Sequence, residues 1–434
     1  MTDYDLVIIG AGWAGFNAAL RARELGLKVA LIEKSKIGGT CLNLGCIPTK
    51  ALVQSAKVYS LTKKSADFGI DISLAQINFS KIQERKAKII QQLGQGIQFQ
   101  LKGIDIINAT AEIISPEQIK AGTQTIQTKN ILIATGSKPL ELKSLKFDHQ
   151  KILSSDDILN LNNLPKSLII IGGGVIGCEF ASLVSIFGTE VTIVELMPQL
   201  LPGVDKEVAK KLETSFKKKG IKILTNTDAV TFDRAPYQLT LLAIGRAPVT
   251  DIPGLDKLNL QMRKTAISVD EYLKTNIPNI YSAGDCTGQT MLAHFAAYQG
   301  RIAAENLASP ENPQKADNQT IPNCIFTDPE IAAVGLDEEK AGQKGIEPQV
   351  HRFDFLGSGM ARILDETDGF IKIISDKKSG QIVGASIIGP KATELIGILT
   401  LAISSRLTIS QIKETIFAHP TLSESIPECF GDGS

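Results

Sequence analysis

Cys41 and Cys46 stand five residues apart in the run Gly38-Gly39-Thr40-Cys41-Leu42-Asn43-Leu44-Gly45-Cys46-Ile47-Pro48-Thr49-Lys50. A disulfide closing so short a loop is tight, and is therefore easier to reduce than a structural bridge. If Pro48 lies in the first turn of a helix, both cysteines stand at that helix's N-terminus. There the helix dipole stabilises a thiolate. The expectation is a redox dithiol. Two other readings are open to the pair by itself. As zinc ligands the cysteines need partners, and the sequence holds no second pair of this kind, so no metal is expected. As plain buried thiols they would only pack; the flanking glycines and the motif just upstream weigh against that.

The elements that must position the dithiol lie on both sides of it. Leu6-Val7-Ile8-Ile9 reads as a buried parallel strand. Gly10-Ala11-Gly12-Trp13-Ala14-Gly15 follows, then a helix over 16–25 closed by Gly26, then a strand over 28–32 ending at Glu33. Gly10, Gly12 and Gly15 allow the turn, the approach of a pyrophosphate and close helix–sheet packing, and Glu33 is placed for ribose hydroxyls. The unit recurs 162 positions later, with Gly172, Gly174 and Gly177 in the turn, Gly188 after the helix and Glu195 ending the strand. Two copies in one internal register predict two dinucleotide-binding units, or descent from a form that had them.

Smaller echoes follow each copy. Residues 131–136, ending Thr135-Gly136, and 241–246, ending Gly245-Arg246, each read as a buried strand that closes a sheet beside a nucleotide. Helices are expected over 50–63 and 82–101, and a crossing between units over 140–165. Ile280-Tyr281-Ser282-Ala283-Gly284-Asp285 reads as a strand returning to the first unit, with a helix over about 292–307 after it. Residues 309–319 read as a linker. Strands at 369–375 and 381–388 and helices at 392–405 and 410–417 give the remainder an α+β pattern.

The 434 residues allow two to four domains. With 46 basic and 46 acidic side chains there is no electrostatic case for nucleic acid or an anionic membrane. The six cysteines contain one close pair, which fits a reducing compartment rather than a secreted disulfide framework. No targeting segment is evident. The apolar stretch 168–188 reads as strand, turn and helix, not a membrane span. A cytoplasmic location is expected.

Together the dithiol run, the doubled glycine motif, the Ala283-Gly284-Asp285 segment and His419-Pro420-Thr421-Leu422-Ser423-Glu424 resemble the flavin-dependent pyridine nucleotide–disulfide oxidoreductases over nearly the whole chain. The dihydrolipoamide dehydrogenase branch is the one most resembled. The resemblance implies an α/β fold: two Rossmann-like domains, for FAD over 1–150 and 276–320 and for NAD over 151–275, plus an α+β dimerisation domain over 321–434. It implies that Cys41 exchanges with substrate and Cys46 contacts the flavin. Lys50 would lie beside the flavin paired with Glu179, with Glu33, Asp285, Thr135, Gly136 and Ala293 also around FAD. His419, from the other subunit of a homodimer, would be the acid–base oriented by Glu424. The implied reaction is oxidation of dihydrolipoamide, free or on a lipoyl domain, with hydride transfer to NAD⁺, in some members within a 2-oxo acid dehydrogenase complex.

Glu195, with no arginine close by in sequence, favours NAD over NADP, because an acid there repels a 2′-phosphate. The chain also departs from the family pattern. Gly10 to Ala134 spans 124 residues, Gly172 to Ala243 only 71, and a strand meander usual in the family is cut to 226–240. Trp13 is bulky for a glycine turn. These departures keep two alternatives: a related NAD(P)H-dependent disulfide reductase, and a redox-sensing flavoprotein with impaired NAD turnover.

Overall fold

The computed structural model describes residues 3–317 and 320–431. Residues 318 and 319 of the expected linker, and 432–434 of the last expected domain, lie outside the described residues.

The first sheet grows from β1 (Tyr4–Ile9), whose Leu6, Val7 and Ile8 are fully buried. Helix α1 (Trp13–Glu24) returns the chain to β2 (Val29–Glu33), parallel to β1. After β2 come α2 (Gly39–Asn43), α3 (Cys46–Lys63), α4 (Phe79–Gln100) and β3 (Asp105–Asn108). An antiparallel meander of β4 (Ala111–Ser115), β5 (Gln118–Ala121) and β6 (Gln124–Ile133) completes this stretch, in the order β3-β2-β1-β6-β5-β4.

β7 (Ser137–Pro139) leads out of this sheet. β8 (Ile152–Leu153), α5 (Ser155–Ile158), β9 (Ser167–Ile171), α6 (Val175–Ile186), β10 (Glu190–Val194), α7 (Lys206–Lys218), β11 (Lys222–Leu224) and β12 (Leu239–Leu242) form the second unit. Its sheet is wholly parallel, ordered β11-β10-β9-β12-β8. No strand forms between β11 and β12, where the first unit has β4 and β5. β13 (Arg246–Pro248) pairs antiparallel with β7, so the chain crosses between units twice along one ribbon.

A hairpin of β14 (Met262–Arg263) and β15 (Ala266–Ile267) precedes β16 (Ile280–Ser282), which pairs with the end of β6 and returns the chain to the first sheet. α8 (Ala293–Ala308) then packs on α1 so closely that a Cβ on Gly300 would stand 2.1 Å from Ala14 O. The echo strands therefore do not close their sheets. β16 lies beyond β6 and β8 beyond β12, since a strand buried on both faces has two hydrogen-bonding edges to satisfy.

The last sheet is antiparallel, ordered β17-β18-β21-β20-β19. It contains β17 (Asn323–Ile325), β18 (Glu330–Gly335), β19 (Pro348–Asp354), β20 (Phe370–Asp376) and β21 (Ile382–Gly389). Helices α9 (Glu338–Gln343), α10 (Gly359–Ile363), α11 (Ala392–Ser404), α12 (Ile409–Glu414) and α13 (Ser425–Glu428) surround it. Among the described residues no helix is long and apolar enough to cross a membrane.

Candidate active site

The two glycine turns are built alike, contact for contact. A Cβ on Gly10 would lie 2.4 Å from Ala134 O, and one on Gly172 2.4 Å from Ala243 O. On Gly15 and Gly177 it would meet the carbonyl of Gly10 and of Gly172 at 1.9 and 2.0 Å. Gly12 and Gly174 by contrast face open space, the place where a phosphate can approach the backbone. The acids repeat too. Glu33 accepts from Ala11 N and Ser35 N at 2.8 Å each; Glu195 accepts from Gly173 N at 2.6 Å and Met197 N at 2.7 Å. Glu195 is buried, its carboxylate aimed at its own glycine turn.

Beside the first turn runs a cleft of about 1160 Å³, lined by Gly10, Gly12, Glu33, Thr40, Thr135 and Gly136 among others. The open face of Gly12, the acid at the end of β2 and this volume fit a dinucleotide the size of FAD. The Thr135 hydroxyl donates to Val249 O at 2.6 Å, which ties the turn after β6 to the segment after β13. Asp285 accepts from Ser137 Oγ at 2.5 Å, and that Oγ accepts from Arg246 Nε at 2.8 Å. Ala293 is the first residue of α8 and Gly245 follows the end of β12 with φ 124°.

The dithiol is placed differently from the sequence expectation in one respect. Cys46 is the first residue of α3, at its N-terminus, but Cys41 lies in the separate one-turn helix α2. The break falls at Leu44 and Gly45, where the backbone leaves the helical region. Both sulfurs are thiols. The Cys41 thiol donates to Cys46, which pushes Cys41 far up and brings Cys46 down to about 7. The Lys50 charge, one turn along α3, adds to the depression of Cys46, while burial and Glu179 oppose it. Negative charge is thus favoured on Cys46 and the proton on Cys41.

Lys50 Nζ lies 2.9 and 2.8 Å from the two Glu179 oxygens and 4.5 Å from the Phe326 ring centroid. Glu179 is only 5% exposed and also accepts from Phe326 N at 2.9 Å. One carboxylate therefore joins α3, α6 and the segment after β17. Phe326 carried no sequence signal, being an ordinary apolar residue beside a short strand. The Ser137–Arg246–Asp285 link joins positions 109 and 148 apart, which no local pattern reveals.

At the far end of the chain, His419 Nδ1 lies 2.9 Å from Glu424 Oε2 and the imidazole is exposed. His419 holds the Glu424 carboxyl below its ordinary value. The carboxylate fixes the tautomer with the proton on Nδ1, leaving Nε2 as the basic nitrogen. The remaining cysteines serve packing: burial pushes Cys178, Cys286 and Cys429 up, and Cys324 to about 11. His149 pairs with Asp157, His294 with Pro322 O and His351 with Ser375.

Paired glycine turns, a dithiol poised as thiol and thiolate, and an antiparallel terminal domain define a nucleotide-linked disulfide oxidoreductase. The chain belongs to the pyridine nucleotide-disulphide oxidoreductase family, which residues 4–300 match, with the family's dimerisation domain at 321–430. It is an oxidoreductase acting on a sulfur group, and its family implies FAD and a pyridine nucleotide. Dihydrolipoyl dehydrogenases of Chlamydia pneumoniae and Geobacillus stearothermophilus are 41% and 39% identical. The matches cover 97% of this chain and 95% and 94% of the relatives. LpdA from Mycobacterium tuberculosis is similar in structure, with TM-score 0.90 at 29% identity over 98% of both chains. So is the HOCl-induced flavoprotein disulfide reductase RclA from Escherichia coli, with TM-score 0.88 at 29% identity over 98% of this chain and 99% of that one.

Proposed function

We propose that this chain is a homodimeric dihydrolipoamide dehydrogenase that reduces NAD⁺, with dihydrolipoamide taken free or on a lipoyl domain. The observation that carries the reading is the placing of the dithiol: Cys41 stands on α2, Cys46 opens α3, and Lys50, one turn along α3, is held 2.8 Å from Glu179. The relatives named dihydrolipoyl dehydrogenase support the substrate. FAD would be held by the turn Gly10, Gly12 and Gly15, by Glu33, Thr135, Gly136, Asp285 and Ala293, and near Lys50. NAD would be held by Gly172, Gly174, Gly177, Glu195 and Gly245. The chemistry these cofactors supply when bound is two-electron transfer from the dithiol to the nicotinamide.

The chain's own residues do the rest. His419 Nε2, from the second protomer, takes a proton from a dihydrolipoamide thiol. The resulting thiolate attacks Cys41 of the Cys41–Cys46 disulfide; that bond breaks and Cys46 leaves as thiolate. His419 passes the first proton to solvent and takes that of the second substrate thiol. This thiolate attacks the substrate sulfur bound to Cys41, the mixed disulfide breaks, lipoamide departs as a cyclic disulfide, and Cys41, leaving as a thiolate, takes its proton from His419. Glu424 orients His419 throughout, and Lys50 holds the charge on Cys46. Glu195, an acid with no basic partner among its hydrogen-bond contacts, disfavours a 2′-phosphate and so favours NAD.

Anaerobic titration of the flavin-loaded enzyme with dihydrolipoamide, then NAD⁺, tests this. A long-wavelength band should form with the first and vanish as NADH appears. A second reading, an NAD(P)H-dependent reductase of another disulfide, is favoured by the likeness to RclA. It predicts a band with NADH but none with dihydrolipoamide. A band that persists with NAD⁺ would point to the shortened second unit as a failed nucleotide site in a redox-sensing flavoprotein. Membership of a 2-oxo acid dehydrogenase complex belongs to the same proposal, and co-sedimentation with a lipoyl-bearing partner tests it.

A further inference from the structure

Trp13 Nε1 is buried, yet it has no hydrogen-bond partner. An indole N–H is a donor only, so it cannot be satisfied by becoming an acceptor. Trp13 is the single tryptophan of the chain and opens α1 directly after Gly12. The backbone places it beside the dithiol. Gly38 N donates to Ala11 O at 2.8 Å, and a Cβ on Gly39 would lie 2.7 Å from Gly12 Cα. The starts of α1 and α2 are thus pressed backbone to backbone, which makes Trp13 a neighbour of Cys41. Edge-to-face packing on Phe16, with centroids 6.0 Å apart at 84°, braces the ring.

We propose that Trp13 is a further catalytic residue, its indole N–H being the donor that receives the Cys41 sulfur when that sulfur becomes a thiolate. The inference rests on Cys41 being the exchanging thiol, as proposed above. In the dithiol state Cys41 keeps its proton and points it at Cys46; its neutral sulfur is a poor acceptor, so the indole N–H faces it without a full hydrogen bond. When the mixed disulfide breaks, its electron pair passes to Cys41 while Cys46 is already negative. Trp13 then stabilises the second charge until Cys41 takes its proton from His419. The same N–H draws Cys41 downward even in the resting pair, against the larger push from Cys46 and burial.

Because the chain has one tryptophan, growth of a tryptophan auxotroph on benzothienylalanine exchanges the N–H for sulfur at this position alone. The test uses flavin-loaded Cys46→Ser protein, where Cys41 titrates without its partner, and reads Cys41 alkylation by iodoacetamide against pH. Benzothienylalanine and Trp13→Phe should each move the profile up by roughly one pH unit, about tenfold slower reaction on its rising limb. Profiles that superpose on that of the unmodified protein overturn the proposal. If Trp13→Phe loses flavin, the benzothienyl protein decides. If both lose flavin and the Cys41 profile of the flavin-free protein stays in place, the N–H serves the cofactor's phosphates and the proposal fails. Failure of the dithiol reading would show separately, as absence of any long-wavelength band with either dihydrolipoamide or NADH in the unmodified enzyme.

Discussion

At the scale of single residues, the charge on Cys46 is set by groups of opposite effect. Cys41 and Lys50 favour the thiolate, and Glu179 with burial disfavours it. The sign of each variant follows. Lys50→Met removes a favourable charge and leaves Glu179 buried, so the long-wavelength band of the reduced enzyme should titrate at higher pH than the value near 7. Glu179→Gln removes an unfavourable charge and should move it lower. Shifts on the order of one pH unit are expected, read by absorbance against pH. Opposite or absent shifts would mean that the pair does not act on Cys46. Lys50→Met should also destabilise the protein by about 3 kcal/mol, the low end for a broken buried pair because Lys50 is partly exposed. His419→Ala should leave flavin and band in place while turnover falls by roughly 10²–10⁴. Retained turnover would remove His419 from the reaction.

The glycine turns carry the argument at the scale of elements, because equivalent glycines do different things. Gly15→Ala drives a methyl group into Gly10 O, so α1 must leave the sheet and the fold should fail or lose many degrees of Tm. Gly12→Ala and Gly174→Ala meet nothing, so both proteins should fold with Tm near that of the parent. The first should lose flavin affinity; the second should keep flavin and show a raised KM for NAD⁺. A Gly174→Ala enzyme with unaltered KM would put the nucleotide elsewhere. This same distinction explains what was legible in the sequence. The 162-residue repeat fixed which glycines matter, since backbone contact leaves no choice of residue type. Strand β19 was not legible: it begins at Pro348, is exposed or half-buried throughout and lacks a buried apolar face. Nor was the break between α2 and α3, which depends on two backbone angles at Leu44 and Gly45. Trp13 stood out by size, but the orphaned N–H needed the approach of Gly39 to Gly12.

On the scale of the whole molecule, charge and symmetry hold the parts in working order. Lys372 on β20 is 3% exposed in its side chain and reaches Asp205 at 3.0 Å, Glu207 at 2.7 Å and Glu338 at 2.5 Å, tying the terminal sheet to the start of α7. Burial lowers its affinity for a proton, but the three carboxylates outweigh that and hold it above its ordinary value. A lysine raised on folding contributes stability in full below about pH 10.4 and loses it as pH rises through the folded value. The parent should therefore lose Tm relative to Lys372→Met above about pH 10, and a constant difference up to pH 11 would refute the linkage. The other joint is between copies. Ile416 is 97% exposed and Leu401 66%, on the terminal domain that carries His419. A second copy is the partner the dimerisation domain implies, and these are apolar side chains that such a contact would cover. If His419 of one protomer serves the dithiol of its partner, His419→Ala and Cys41→Ser homodimers are each inactive for different reasons. Subunit exchange between them creates heterodimers in which one of the two sites has an intact cysteine facing an intact histidine. At equal mixing half the dimers are of this kind, so activity should return to about one quarter of the parent's. No recovery after exchange, with mixed dimers verified by mass, would place the histidine and the dithiol that work together on the same chain.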